Sequence, residues 1–399
     1  MAIKTVPSRV LEQLSTTASI APNNFKFKSL SNWSYNISTG CLHGCSFCYV
    51  PNTTTIKREI DLEGKASIPA QWKKERLAGK HWGDHHWGEY SLLRSWDADE
   101  FRRSLTRAQK STEVAPDSNR AIMLCTTTDP YQQFSIPGNP EKAKLLNAAG
   151  EALVRNALEM ILKESDLNVR ILTRSPKAKK DFDLYKRFGN RLMFGMSLPT
   201  LDDKLSQIYE PGAPGPQVKL QTLELAKKAG LHIFVAMAPT LPDEGEKELK
   251  TLLTTLAKLK PLTIFHEPIN LRAENVARIQ AKAREVGRPI RGEVFETRSR
   301  WREYAFDQLT LVEKIARELK IPDGVLHLWP DEDLASRAGF MKMKTEAYER
   351  EFQCSTLPPR KEAEASRQWR ESVEPWINYW HNPEERISAW PGIRAAKWK

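Results

Sequence analysis

Three of the chain's five cysteines, Cys41, Cys45 and Cys48, fall within eight positions in the run Asn36-Ile-Ser-Thr-Gly-Cys-Leu-His-Gly-Cys-Ser-Phe-Cys-Tyr49. Three thiolates on one tight loop suit three corners of a 4Fe-4S cluster, whose four irons normally take four thiolates. The last iron then stays open to a substrate or cosubstrate. His43 offers another reading, because zinc takes Cys3His sets, but its place between two of the cysteines works against closing a tetrahedron. A disulfide framework fits less well. The cysteine count is odd, and the chain does not open on a basic segment followed by an apolar one, so a cytoplasmic protein with reduced thiols is expected.

Other residues carry chemistry outside this loop. Cys125 stands alone before Thr126-Thr-Thr-Asp129, where it is either a reactive thiol or a small core hydrophobe. In Lys80-His-Trp-Gly-Asp-His-His-Trp-Gly-Glu-Tyr90, the side chains of His81, Asp84, His85 and His86 invite a metal hypothesis. Adjacent histidines point apart on most backbones, so this stretch reads better as cover over a site or as a substrate contact. The net charge is +11 with twelve tryptophans, which suits a polyanionic partner approached by stacking side chains. Two segments concentrate that character: Glu296-Thr-Arg-Ser-Arg-Trp-Arg302, and the tail from Arg367, which holds Trp369, Trp376, Trp380, Trp390 and Trp398. Interleaved Arg and Trp suit flipped or single-stranded bases, and suit slightly better a helical cap over an open barrel side.

The elements that must position these groups alternate. Short β-rich runs lie at Ala121–Thr126, Val169–Thr173, Arg191–Ser197, His232–Ala236 and Leu262–Phe265, and one further strand precedes Cys41. Helical periodicity fills the gaps at Lys144–Lys163, Lys219–Ala229 and Glu246–Leu259, and an amphipathic helix is predicted at Asp307–Leu319. Six such units predict a parallel sheet with helices outside it, and catalytic groups at the strands' C-terminal ends. No apolar run reaches the ~20 residues of a membrane span.

The cysteine loop with its trailing Tyr49 resembles the signature of the radical S-adenosylmethionine (radical SAM) superfamily. Thr126-Thr-Thr-Asp-Pro-Tyr-Gln132, Leu172-Thr-Arg-Ser175, Met196-Ser197, Tyr209-Glu-Pro-Gly-Ala213 and Val235-Ala-Met-Ala-Pro239 resemble the strand-end motifs of its spore photoproduct lyase-like, or DNA repair photolyase, branch. The likeness spans about residues 30 to 270. It implies a partial (β/α)6 TIM-like barrel in the α/β class, with a 4Fe-4S cluster on Cys41, Cys45 and Cys48. It also implies SAM held by Thr128, Arg174 and Ser197, where Arg174 replaces a lysine facing the SAM carboxylate. Cys125 corresponds to a cysteine that returns a hydrogen atom to the product radical, but the register here is one residue longer, which puts its facing in question.

The expected organisation is an N-terminal segment at 1–34, the barrel at 35–285 with an insertion at about 57–119, and a helical Trp/Arg-rich extension at 286–399. The expected activity is reductive cleavage of SAM to a 5′-deoxyadenosyl radical that abstracts hydrogen from a nucleic acid, in lyase-like DNA repair. Peptide, RNA or metabolite modification is the alternative, followed by a nucleic-acid-binding protein with a structural or redox-sensing cluster. A flavodoxin- or ferredoxin-type electron donor is the implied partner of a chain expected to be a monomer.

Overall fold

The computed structural model describes residues 9–23, 30–53, 67–77, 82–111, 120–272, 274–322 and 325–328. Among the described residues there are eleven strands: β1 Val10–Thr17, β2 Ile20–Pro22, β3 Trp33–Tyr35, β4 Ser38–Thr39, β5 Tyr90–Ser95, β6 Ala121–Leu124, β7 Asn168–Thr173, β8 Leu192–Ser197, β9 His232–Thr240, β10 Thr263–Pro268 and β11 Leu326–Leu328. The helices are α1 Ala70–Leu77, α2 Trp82–His85, α3 Ala98–Lys110, α4 Pro140–Glu164, α5 Phe182–Arg187, α6 Asp203–Tyr209, α7 Pro216–Lys228, α8 Glu246–Lys258, α9 Asn275–Val286 and α10 Arg298–Glu318.

An eight-stranded sheet runs β11-β10-β9-β8-β7-β6-β3-β2, parallel throughout except for β2 against β3. The six expected strands are its β3 and β6 to β10, and the expected parallel α/β architecture is observed. No strand pair closes the sheet into a full barrel among the described residues.

Alternation along each strand sorts side chains into two apolar groups, as the two-residue period of a pleated strand requires. Ile122, Leu124, Val169, Ile171, Phe194, Met196, Ile233, Val235 and Ile264 join the main core with the helices. Met123, Met193, Phe234 and Phe265 meet Leu30 on the concave face. Gly195 lies on that face because nothing larger fits: a Cβ there would sit 2.4 Å from Cζ of Phe234. The Phe234 ring therefore fills the space over Gly195.

The helices that follow the sheet strands pack spaced apolar residues into the main core, whereas Trp72 of α1 and Trp82 of α2 form a separate cluster with Val10 and Tyr90. In α4, Asn139 caps the first turn by accepting from the Lys142 amide, Pro140 takes a position that needs no N–H, and Leu146, Leu153, Ala157 and Ile161 are buried. Each fully buried Leu or Ile contributes ~1.5–3 kcal/mol. The helix predicted from Asp307 starts earlier, at Arg298, and takes in the basic run. Trp301 of that run is fully buried in the main core and its Nε1 donates to the Ile269 carbonyl at 2.6 Å, so this part of the run packs inward. The tail from Arg367, with Cys354 and His81, lies outside the described residues.

A second, three-stranded sheet, β1-β5-β4, was not anticipated. β5 comes from the 57–119 insertion and pairs with β4, Ser38 to Leu93 and Thr39 to Leu92, immediately before the first clustered cysteine. Among the described residues no helix is long and apolar enough to cross a membrane.

Candidate active site

The clustered cysteines occupy a loop with no regular ladder, so its shape must come from other bonds. Within it, the Gly44 amide donates to the Cys41 carbonyl at 3.3 Å and the Cys48 amide to the Cys45 carbonyl at 3.1 Å. Gly40, at φ +90°, turns the chain against the Tyr90 ring, in a conformation that side chains rarely adopt.

Bonds from the barrel fix the rest. Gln132 Oε1 accepts from the Leu42 amide at 2.9 Å, and Ser46 Oγ donates to the Ile208 carbonyl at 2.7 Å. From α9, Asn275 Nδ2 donates to the Phe47 carbonyl at 3.3 Å, and Arg278 donates to the carbonyls of Ser46 at 3.2 Å and Cys48 at 2.6 Å. Thr128 Oγ1 donates to the Gly40 carbonyl at 2.6 Å and accepts from Gln132 Nε2 at 2.9 Å. The Thr128 hydroxyl thus ties the strand end to the loop.

Asp129 is the hub between loop and strands. Its carboxylate accepts from Thr173 Oγ1 at 2.7 Å and from the amides of Tyr131 and Arg174, each at 2.8 Å, and it pairs with His43 Nε2 at 3.2 Å. Burial would raise its pKa, but the His43 ring and these hydrogen bonds hold it down at about 2. The other His43 nitrogen meets the Gly212 carbonyl at 3.1 Å. One ring nitrogen thus meets Gly212 and the other faces the Asp129 carboxylate, and among the described residues no three Cys, His, Asp or Glu side chains gather around one ion position.

One cavity at the strand ends brings together the residues that the resemblance assigns to the cluster, to SAM and to hydrogen return: Cys41, Cys45, Cys48, Cys125, Thr128, Arg174 and Ser197. Cys125 follows β6 with φ +64°, uncommon for a residue with a side chain, and its amide donates to the Tyr35 carbonyl at 2.9 Å. Burial pushes its thiol well up. Arg174 is held through Nε by Glu210, a buried carboxylate that also pairs with buried Lys219. Burial alone would raise the Glu210 pKa, yet the two cations keep it low. Ser197 Oγ is buried with no partner, as is the Asn270 side-chain oxygen on the same cavity.

The three thiols fit an iron–sulfur cluster. They line one cavity and form no disulfide. Burial raises the Cys45 thiol to about 12, with Arg174 working against it, and raises Cys41 and Cys48 as well. Without a metal they stay protonated at neutral pH, so loading must release their protons.

No family model matches the chain. Among solved structures, a cysteine-to-serine variant of spore photoproduct lyase aligns with a TM-score of 0.54 and 12% identity, over 80% of this chain and 82% of that one. The chain has the fold of spore photoproduct lyase. A cysteine-to-alanine variant of that enzyme with dinucleoside spore photoproduct aligns similarly, with a TM-score of 0.52, 13% identity and the same coverages of 80% and 82%. At such identity the likeness is one of fold, and it agrees with the resemblance drawn from the motifs. By sequence, the uncharacterized protein ORF301 of Acidianus two-tailed virus is 27% identical over 263 residues, 64% of this chain and 73% of that protein. An uncharacterized Mycobacterium tuberculosis protein is 29% identical over 141 residues, 34% of this chain and 37% of its own length.

Sequence reasoning missed the polar residues that hold the spore photoproduct lyase fold's strand ends to the cysteine loop. Asp129, Gln132 and Glu210 lie inside motifs quoted for other members, so their position was visible but their role was not. Asp84 stood out only as a metal candidate and Arg278 had no signal, because their meeting depends on two segments far apart in the chain.

Proposed function

We propose that this protein is a radical SAM enzyme that acts on nucleic acid, in the manner of a photoproduct lyase. The observation that carries the reading is the convergence of three unbridged thiols, Cys125, Arg174 and Ser197 on one cavity at the strand ends. When bound, a 4Fe-4S cluster with one iron free supplies the electron that cleaves SAM to methionine and a 5′-deoxyadenosyl radical.

The chain's own groups then have distinct tasks. Glu210 fixes Arg174 through Nε, which leaves the terminal nitrogens for the methionyl carboxylate of SAM. The unpartnered Ser197 hydroxyl offers SAM a further hydrogen bond. Thr128 acts on the loop through Gly40. Cys125 stays a neutral thiol because burial raises its pKa, and only a thiol carries the S–H hydrogen that a product radical can take.

A net charge of +11 supports a polyanionic substrate, and the Trp- and Arg-rich composition of the sequence from Arg367 agrees with stacking on bases. A low-potential flavodoxin- or ferredoxin-type protein would deliver the electron to a monomeric enzyme. The test is anaerobic reconstitution followed by reduction with SAM and a dinucleoside spore photoproduct. Release of 5′-deoxyadenosine establishes the cofactor chemistry, and conversion of the photoproduct to thymine dinucleoside establishes the substrate class. A reduced, loaded protein that leaves SAM intact refutes the reading.

A further inference from the structure

The stretch Lys80–Tyr90, suspected of metal binding for its histidines, sends its carboxylate elsewhere. Asp84 is buried, and its side chain pairs with Arg278 Nη1 and accepts from the Glu274 amide at 3.1 Å. Arg278 also donates through Nη1 to the Asp84 main-chain carbonyl at 3.3 Å. The same guanidinium reaches the carbonyls of Ser46 and Cys48 through Nε and Nη2. Neighbouring His86 is turned away, stacked on Trp72 at 3.9 Å and paired with Glu89 at 2.7 Å. One arginine from α9 therefore grips the cysteine loop, and one aspartate from the insertion grips the arginine.

Such a pair does two things at once. As a clamp, it holds the main chain of Cys48 in place. As a charge pair, it sets the field at the cysteines: the cation is bonded directly to the Cys48 carbonyl, and the anion lies beyond it on the Nη1 side. Their side chains are only 13% and 9% exposed, so solvent screens them poorly. Partners outside the ligand set tune a metal site through orientation and local charge.

We propose that Arg278 and Asp84 are positioning residues that set the reduction potential of a cluster carried by Cys41, Cys45 and Cys48, with opposite signs. This rests on the iron–sulfur reading of the loop. A positive charge beside the site favours the reduced, more negative cluster, so Arg278 raises the potential. Asp84 offsets that charge and lowers it.

The test uses the full-length reconstituted protein and its Arg278→Gln, Arg278→Lys and Asp84→Asn variants. Iron and sulfide content is measured first, and then the midpoint potential by redox titration of the cluster's absorption and its paramagnetic reduced state. Arg278→Gln should shift the reduction equilibrium toward the oxidised form by about three- to tenfold, the upper value being ~59 mV for one electron. Asp84→Asn should shift it the other way. Arg278→Lys should restore most of the potential while loading less cluster, because one ammonium cannot replace the forked contacts. A merely structural clamp predicts that Arg278→Gln and Asp84→Asn both lower cluster content and move the potential in the same direction or not at all, and either result overturns the proposal. If Arg278→Gln loads no cluster, a raised potential in Asp84→Asn beside a near-wild-type potential in Arg278→Lys supports the charge pair, and an Asp84→Asn potential at or below that of wild type refutes it. A wild-type protein that takes up no cluster overturns the reading beneath it instead.

Discussion

The cavity has two walls built on different principles. On one side, Cys125, Arg174 and Ser197 stand just past or at the ends of β6, β7 and β8, where the ladder pairs Thr173 with Met196 and Ser197 with Ala236. On the other side, the cysteine loop has no ladder and takes its shape from side chains of two other segments, Thr128 and Gln132 after β6 and Asn275 and Arg278 on α9. A parallel sheet places groups by backbone repetition and tolerates side-chain change. A loop held by single hydrogen bonds depends on each partner.

That contrast is sharpest at the thiols. Ala at Cys41, Cys45 or Cys48 should leave the sheet folded, because each removes one small side chain from a loop. Iron and sulfide loading should nevertheless collapse from about four of each per chain, and SAM cleavage should be lost, since the three are the sole protein ligands proposed. Circular dichroism beside metal analysis checks both halves. A variant that still loads and still cleaves SAM would move the ligand set elsewhere.

The strand-end wall should respond by degree. Arg174→Ala removes a charge-assisted contact to a carboxylate, for which ~1.5–3 kcal/mol of SAM affinity is expected, or roughly ten- to a hundredfold in Kd. Cluster content should stay constant. Because Glu210 also pairs with Lys219, the carboxylate keeps one cation in that variant and the fold is spared. Calorimetry with the loaded enzyme reads the affinity, and an unchanged Kd would take Arg174 out of the SAM site.

Asp129 joins the two walls, so pH can loosen one from the other. Its folded pKa of about 2 lies below the ~3.9 of an unfolded aspartate. The stabilisation is thus complete above about pH 4 and lost as pH falls through about 2. It amounts to ~2 kcal/mol by linkage. Urea titrations between pH 2 and 5 should show this loss in the native chain and a flatter profile in Asp129→Asn. Identical slopes would mean that the His43 pair and the amide bonds do not persist in solution.

The same contrast explains what the sequence revealed. The β6 to β10 strands were legible because each is an apolar run of four to nine residues between helical segments, and their observed bounds differ from the expected ones by a few residues. The cysteines were legible because thiol spacing is a local property. The three-stranded sheet was not, since β4 is two residues long and finds its partner β5 across the insertion. Trp301 was undecided for a related reason: an arginine-flanked tryptophan looks the same in sequence whether it stacks on bases or packs inward and donates to Ile269.

Cys125 gives the smallest effect on stability and the most specific one on chemistry. Its register in the sequence left open whether it faced the cavity or the helices, and the structure places it on the cavity with φ +64°. A small truncation there costs at most ~1–2 kcal/mol, and relief of the strained backbone does not follow, because alanine also has a Cβ. Cys125→Ala should therefore fold, load its cluster and cleave SAM. If Sγ–H quenches the product radical, that radical must take hydrogen from elsewhere or form an adduct, and mass analysis should show by-products at the expense of the repaired dinucleoside. Incubation in deuterated water adds a second reading, because an S–D group equilibrated with solvent delivers deuterium to the native product. A normal product at near-normal yield from the alanine variant would leave Cys125 as a packing residue on the regular wall, and the hydrogen donor would have to be sought elsewhere on the cavity.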